Sequence, residues 1–158
     1  MVQERLDSKQ IFGILTPDQV HALSDVAERI EGKAGHTLYE RGASATHFYV
    51  VLKGSVALRL PGKQGVSLLI DDLGPGAMFG SCISFAMETY SLTAQCTEDC
   101  QLLKVATSAL KDLLDGDPRM GYAVQSRISE IYFTRYIDTM KKLQAIVMNI
   151  PVDVAVAI

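Results

Sequence analysis

Two short strand patterns joined by a glycine occupy residues 48–60, which read FYVVLKGSVALRL. In the second pattern, Val56, Leu58 and Leu60 alternate with other residues, as in a strand that buries one of its faces. Gly54 stands between the patterns, and glycine adopts the positive-φ conformations of tight turns without steric cost. The stretch therefore predicts a β-hairpin.

Further strand candidates lie on both sides of this hairpin. They span residues 37–40, 67–73, 91–96 and 101–105, and glycines and prolines separate several of them. Six or more short strands at this spacing are typical of an all-β sandwich, jelly roll or barrel.

Helical patterns flank the strands. Thr16 and Gln19 have the spacing of a capping box, and Pro17 between them suits the first position of a helix. Apolar residues then recur on one face as far as Ile30, so we expect a first helix that ends near Gly32. A short helix is predicted over residues 108–114.

A long helix should follow from about Pro118 to about Ile150, roughly 50 Å at 1.5 Å per residue. Its apolar residues repeat with the 3,4 spacing of a coiled-coil seam. These residues are Phe133, Tyr136, Met140, Leu143, Val147 and Ile150. We favour a homodimer through this seam, and the alternative is that the same residues pack on the chain's own strands.

Composition restricts the function. The formal net charge is −3 and no cluster of Lys or Arg stands out, so we expect no direct nucleic-acid binding by this chain. No signal peptide and no apolar run of membrane-spanning length occur, which favours a cytoplasmic protein without a membrane partner. The odd number of cysteines, Cys82, Cys96 and Cys100, argues for reduced thiols. No arrangement of catalytic groups or metal ligands is apparent, so an enzyme is not expected.

Three segments, together with the order of elements, resemble the cyclic-nucleotide-binding domain family. The segments are residues 35–42, 48–56 and 73–80, which read GHTLYERG, FYVVLKGSV and LGPGAMFG. The family includes the sensor half of catabolite activator regulators and the regulatory subunits of cAMP-dependent kinase. The resemblance implies a mainly β fold, a jelly roll or β-roll with an N-terminal helix and a long C-terminal helix. We therefore expect a single domain over residues 1–158, with an N-terminal helical part (10–33), a β-roll (34–106) and C-terminal helices (107–150).

The family's phosphate-binding cassette reads Phe-Gly-Glu, then about eight residues, then an Arg, and these two charged residues hold the ribose and the phosphate. An ungapped match places Ser81 at the Glu position and Tyr90 at the Arg position, while Phe79 and Gly80 are kept. Losing both charged anchors should weaken cAMP binding about 10²–10⁴-fold, at ~1.5–3 kcal/mol for each charge-assisted hydrogen bond.

The resemblance also implies where a ligand would lie. The expected lining comprises Phe79, Gly80, Ser81, Cys82, Ile83, Tyr90, Ser91 and Thr93. The long helix covers the ligand in this family, and Arg135 falls near that position; alternatively, Arg135 is solvated. No cofactor is expected, and an effector would be a cyclic nucleotide or another small molecule.

The leading hypothesis is a ligand-sensing or regulatory module that signals through its C-terminal helix without binding cAMP in the usual way. One alternative is the sensor portion of a Crp/Fnr-type transcriptional regulator whose DNA-binding part is absent, because a helix-turn-helix domain of about 70 residues would have to follow the long helix. Another is a dimeric interaction scaffold that binds no ligand.

Overall fold

The computed structural model describes residues 11–80 and 88–149. Its eight strands form two four-stranded antiparallel sheets, with strand orders β1-β8-β3-β6 and β2-β7-β4-β5. The strands are β1 (Glu28–Gly32), β2 (Thr37–Tyr39), β3 (His47–Lys53), β4 (Val56–Pro61), β5 (Ser67–Leu73), β6 (Met78–Gly80), β7 (Thr93–Cys96) and β8 (Cys100–Ala106). The helices are a 3₁₀ turn (Phe12–Ile14), α1 (Pro17–Val26), α2 (Thr107–Gly116) and α3 (Pro118–Val147).

The strand β3 is buried on both of its faces, which explains the uninterrupted apolar run at the start of the hairpin. Tyr49 and Val51 point between the two sheets, whereas Phe48 and Val50 point to the opposite face, against the helices. Both faces of the strand are thus buried, because successive side chains of a strand alternate. The β-roll and helical arrangement predicted from the sequence is confirmed.

The first helix ends earlier than the sequence predicts. It stops at Val26, and the residues as far as Gly32 form β1, which pairs antiparallel with β8 along its whole length. Leu23 packs against the helices, but Ile30 packs against the core between the sheets, so the two do not share one helical face. Edge pairing in the folded chain therefore overrides the local helical periodicity.

Capping residues place the helices as the sequence predicts. Thr16 Oγ1 accepts from Gln19 N at 3.2 Å, and Thr16 N donates to Gln19 Oε1 at 3.0 Å, which completes the capping box. Asp117 caps α3 by accepting from Met120 N at 3.1 Å, and this hydrogen bond is the main cause of its lowered pKa. Gln19 Nε2 also donates to Asp117 Oδ2, so the N-terminal ends of α1 and α3 are tied together.

The long helix α3 divides into two halves of different burial. Its first half buries Met120, Val124, Ile128 and Ile131 in the core that it shares with α1, α2 and β3. From residue 133 to residue 149 every residue is exposed except Arg135 and Lys142. The first half thus fixes the helix to the β-roll, and the second half extends along it.

Candidate functional site

The candidate site lies where the end of β6 and the segment before β7 meet α3. Phe79 and Gly80 close β6, Tyr90 and Ser91 precede β7, and Arg135 reaches the same place from α3. The other expected lining residues of the cassette, Ser81, Cys82 and Ile83, lie outside the described residues.

Tyr90, which the ungapped match places at the family's arginine position, is 5% exposed and hydrogen-bonded within the protein itself. Its hydroxyl accepts from His47 N at 3.0 Å and donates to His47 O at 3.1 Å. A single phenol therefore satisfies both backbone groups of one β3 residue. The only proton of this hydroxyl goes to a backbone carbonyl, so in this structure it is not offered to a ligand.

Aromatic rings fill the space beside Tyr90. Its ring stacks on Tyr39 with a centroid separation of 3.7 Å, and Tyr49 stacks on Phe79 at 5.1 Å. Burial, followed by the neighbouring Tyr90 hydroxyl, raises the pKa of Tyr39 far above its ordinary value and that of Tyr49 to about 12. These phenols stay neutral at physiological pH, and the cluster adds no charge to the site.

Gly80 is required here by the protein's own packing. Its φ is +100°, a conformation that other residues rarely adopt. A Cβ at this position would lie 2.7 Å from His47 O and 3.0 Å from the Tyr49 ring. The family resemblance explains this glycine by close approach of a ligand, and the described contacts give it a second, structural reason.

Arg135 is not solvated. Its side chain is 13% exposed and Nη2 lies 3.2 Å from Oδ2 of Asp71 on β5, whose own side chain is 10% exposed. The guanidinium also stands over the ring of Tyr132, 5.1 Å from its centroid, in a cation–π contact. Arg135 Nε is buried and has no hydrogen-bond partner among the described residues. The one arginine expected near the pocket is therefore held by a carboxylate of the same chain.

Among the described residues, two small cavities lie between β6 and α3. Two cavities of about 20 Å³ each flank Arg135, and both are also lined by Gly80 and Tyr132. A volume of that size holds about one water molecule. A nucleotide would not fit either cavity without displacing side chains.

The remaining predicted site residues have different positions. Ser91 lines one of the two cavities, whereas Thr93 Oγ1 in β7 accepts from Arg41 N at 3.0 Å, outside both of them. The five predicted seam residues from Phe133 to Val147 are between 36% and 65% exposed, so they do not pack on the chain's own sheets. Ile150, the sixth, lies outside the described residues.

Two functional residues were missed by sequence reasoning. Asp71 and Tyr39 lie in the strand candidates at residues 67–73 and 37–40, and neither belongs to a motif that marks it as part of a site. Alternation along β5 separates Asp71 from the exposed Asp72, but no local pattern indicates that its partner lies 64 residues away.

Other kinds of site find no support in the described part of the chain. No group of three or more His, Cys, Asp or Glu side chains could hold a metal ion among residues 11–80 and 88–149. Within the same ranges no helix has the length and apolarity to cross a membrane. Cys96 and Cys100 are free and buried, and burial, followed by the neighbouring Cys100 thiol, raises the pKa of Cys96 to about 12.

Relatives share both the sequence pattern and the fold. A CRP-like cAMP-activated global transcriptional regulator of Mycobacterium tuberculosis is 22% identical over 119 residues, which make up 75% of this chain and 53% of that protein. The chain thus spans about half the length of the curated relative. The catabolite activator protein of Thermus thermophilus superposes with a TM-score of 0.69 at 23% identity, over 83% of this chain and 61% of that one. A cyclic nucleotide-binding domain from Methylobacillus flagellatus superposes with a TM-score of 0.71 at 18% identity, over 86% of this chain and 76% of that one.

These structural likenesses, at less than 25% identity, show a common fold. The model of the family described as "Cyclic nucleotide-binding domain" matches residues 29–117, more than half of the chain, from β1 to the end of α2. With the two sheets, the short helix α2 and the covering helix α3 all in place, this chain belongs to the cyclic nucleotide-binding domain family.

Proposed function

We propose that this chain is a regulatory module that does not bind cAMP in the usual way of its family and that transmits its state through α3 as a homodimer. The single observation that carries the proposal is the buried ion pair of Arg135 with Asp71, beside a cavity that Gly80 and Tyr90 also line. The proposal is further supported by the stacked rings of Tyr39 and Tyr90, which line the same cavity of about 20 Å³ as Arg135.

The chemistry of this space supports the first part of the proposal. A cyclic phosphate needs a cation, and the one arginine that lines the two cavities already faces the Asp71 carboxylate. Tyr90 stands at the anchor position of the family, carries no charge and donates its proton to His47 O. An entering nucleotide would have to break both interactions before it gained any of its own.

The surface of α3 supports the second part. At 100° per residue, the seam from Phe133 to Val147 lies roughly 120° around the helix from the row of Arg135 and Lys142, which faces β5. The helix can therefore contact its own β-roll on one side and a second helix on another. Pairing of two such seams buries apolar surface that is otherwise exposed to water.

Titration calorimetry with cAMP and cGMP tests the ligand claim. We expect no saturable binding at nucleotide concentrations up to about 100 μM, because both charged anchors are replaced and the pocket is filled. A Kd for cAMP below about 10 μM would refute it. Light scattering coupled to gel filtration tests the dimer, and a monomer at all concentrations would exclude the second part.

A second candidate is the sensor portion of a transcriptional regulator. The observation in its favour is that the chain spans about half of the cAMP-activated regulator that it matches. The gene sequence downstream of the codon for Ile158 tests it, since a helix-turn-helix segment there would establish a DNA-binding part.

A further inference from the structure

The two halves of α3 are held by different kinds of contact. The first half is anchored by four buried apolar side chains, the last of which is Ile131. From residue 133 to residue 149, the two residues that are not exposed are Arg135 and Lys142, and both hydrogen-bond to β5. Lys142 Nζ donates to Leu69 O at 2.7 Å at the surface, so the Asp71–Arg135 pair is the more buried of the two contacts.

In the structure the charges of Asp71 and Arg135 face each other with little water around them. If the pair were released, each charge would be hydrated. Because desolvation opposes the attraction in a partly buried pair, such a pair adds little net stability, whereas removal of one partner leaves the other charge buried without compensation. The buried Nε without a described partner reduces the advantage of the docked arrangement further.

The same pair also divides the pocket. The two small cavities share Gly80, Tyr132 and Arg135, so the stacked Tyr132 and Arg135 side chains form the partition between them. Movement of this partition away from Gly80 would join the cavities into one space beneath α3. The lining of that space would be mostly apolar and aromatic.

We infer that the Asp71–Arg135 ion pair is an internal latch, an autoinhibitory contact that holds the second half of α3 against β5 and keeps the pocket closed. Release of the latch frees residues 133–147 while the first half of the helix stays in the core. The output of the latch through α3 rests on the proposed function, whereas the latch itself does not depend on which ligand the protein binds.

Hydrogen exchange with mass spectrometry on Asp71→Asn tests the latch, with Asp72→Asn as the matched control. Asp72 is the next residue on the same strand and is exposed, so the same chemical change is made without touching Arg135. We expect amides of residues 133–147 to exchange at least about tenfold faster in Asp71→Asn, equivalent to ~1.4 kcal/mol, and strands β3 and β8 to be unchanged. The control should match the wild type in both regions.

Equal acceleration in β3, β8 and α3 would overturn the latch, since the pair would then only support global stability. No acceleration in residues 133–147 would overturn it as well. If Asp71→Asn does not fold, Arg135→Lys, which keeps the charge and loses the fork, is measured in its place, and failure of both to fold also overturns a local latch.

The fluorescence of anilinonaphthalene sulfonate, a dye with apolar rings and one anionic group, measures whether the pocket opens. Its fluorescence should be higher with Asp71→Asn than with Asp72→Asn at equal concentration, provided that β3 and β8 retain their protection. Faster exchange without a fluorescence difference would overturn the opening. Tight cAMP binding by the wild type would refute the proposed function and leave these outcomes unaffected, so the two failures are distinguishable.

Discussion

Removal of the Tyr90 hydroxyl should destabilise the protein, because this one group makes two hydrogen bonds to the backbone of His47. Tyr90→Phe keeps the ring and its stack on Tyr39, and deletes the group that bonds both N and O of His47. Two hydrogen bonds are lost, and the backbone N–H and C=O of His47, the first residue of β3, each lose a partner. At ~0.5–1.5 kcal/mol for each hydrogen bond, plus part of the cost of unpaired buried groups, the free energy of unfolding should fall by about 1.5–3 kcal/mol.

Urea unfolding followed by circular dichroism measures this difference. The midpoint should shift while the slope stays constant, because the surface exposed on unfolding does not change. For a chain of this length the loss corresponds to a fall in Tm of roughly 3–12 °C. Tyr122→Phe is the control, since Tyr122 is 78% exposed and the same deletion there should cost less than about 0.5 kcal/mol.

Equal stability of the two variants would refute the reasoning. It would mean that the Tyr90 hydroxyl is not bonded to His47 at the start of β3 in solution and is available to a ligand. In that case the part of the proposal in which the Tyr90 hydroxyl is held by His47 rather than by a ligand would lose its support.

Three further outcomes are expected. Leu143→Glu, which places a charge in the apolar seam of α3, should raise the dissociation constant of the dimer at least about 100-fold, whereas Lys141→Glu on another face should have a much smaller effect; sedimentation velocity measures both. Burial raises the pKa of Tyr49 from 10.0 to about 12 in the folded protein, so its contribution to stability is complete below pH 10 and is lost as the pH rises toward 12. Between pH 10 and pH 12 the free energy of unfolding, measured by denaturant titration, should therefore fall less steeply for Tyr49→Phe than for the wild type. In a Cys82→Ser variant, the buried thiols of Cys96 and Cys100 should not react with a thiol reagent at pH 8 until the protein is unfolded. Rapid reaction of either thiol in the folded protein would contradict their burial.

Most of the fold could be read from short-range patterns. The alternation in residues 56–60, the turn at Gly54 and the capping box at Thr16 depend on neighbours within a few residues, and each is present as expected. The strand β1 was misassigned to the first helix because its partner β8 lies about 70 residues away in sequence. A short amphipathic segment fits either state, and only the available edge of a sheet decides between them.

The candidate site shows the same division. The sequence by itself determined that a β-roll of this family is present and that α3 carries an apolar seam, and it led to the prediction that Tyr90 stands in place of a charged anchor. The tertiary structure alone decided that the Tyr90 hydroxyl bonds His47, 43 residues away, and that Arg135 pairs with Asp71, 64 residues away. The physical reason is that a buried polar group must find a partner wherever the fold supplies one, and local sequence does not encode the identity of a distant partner.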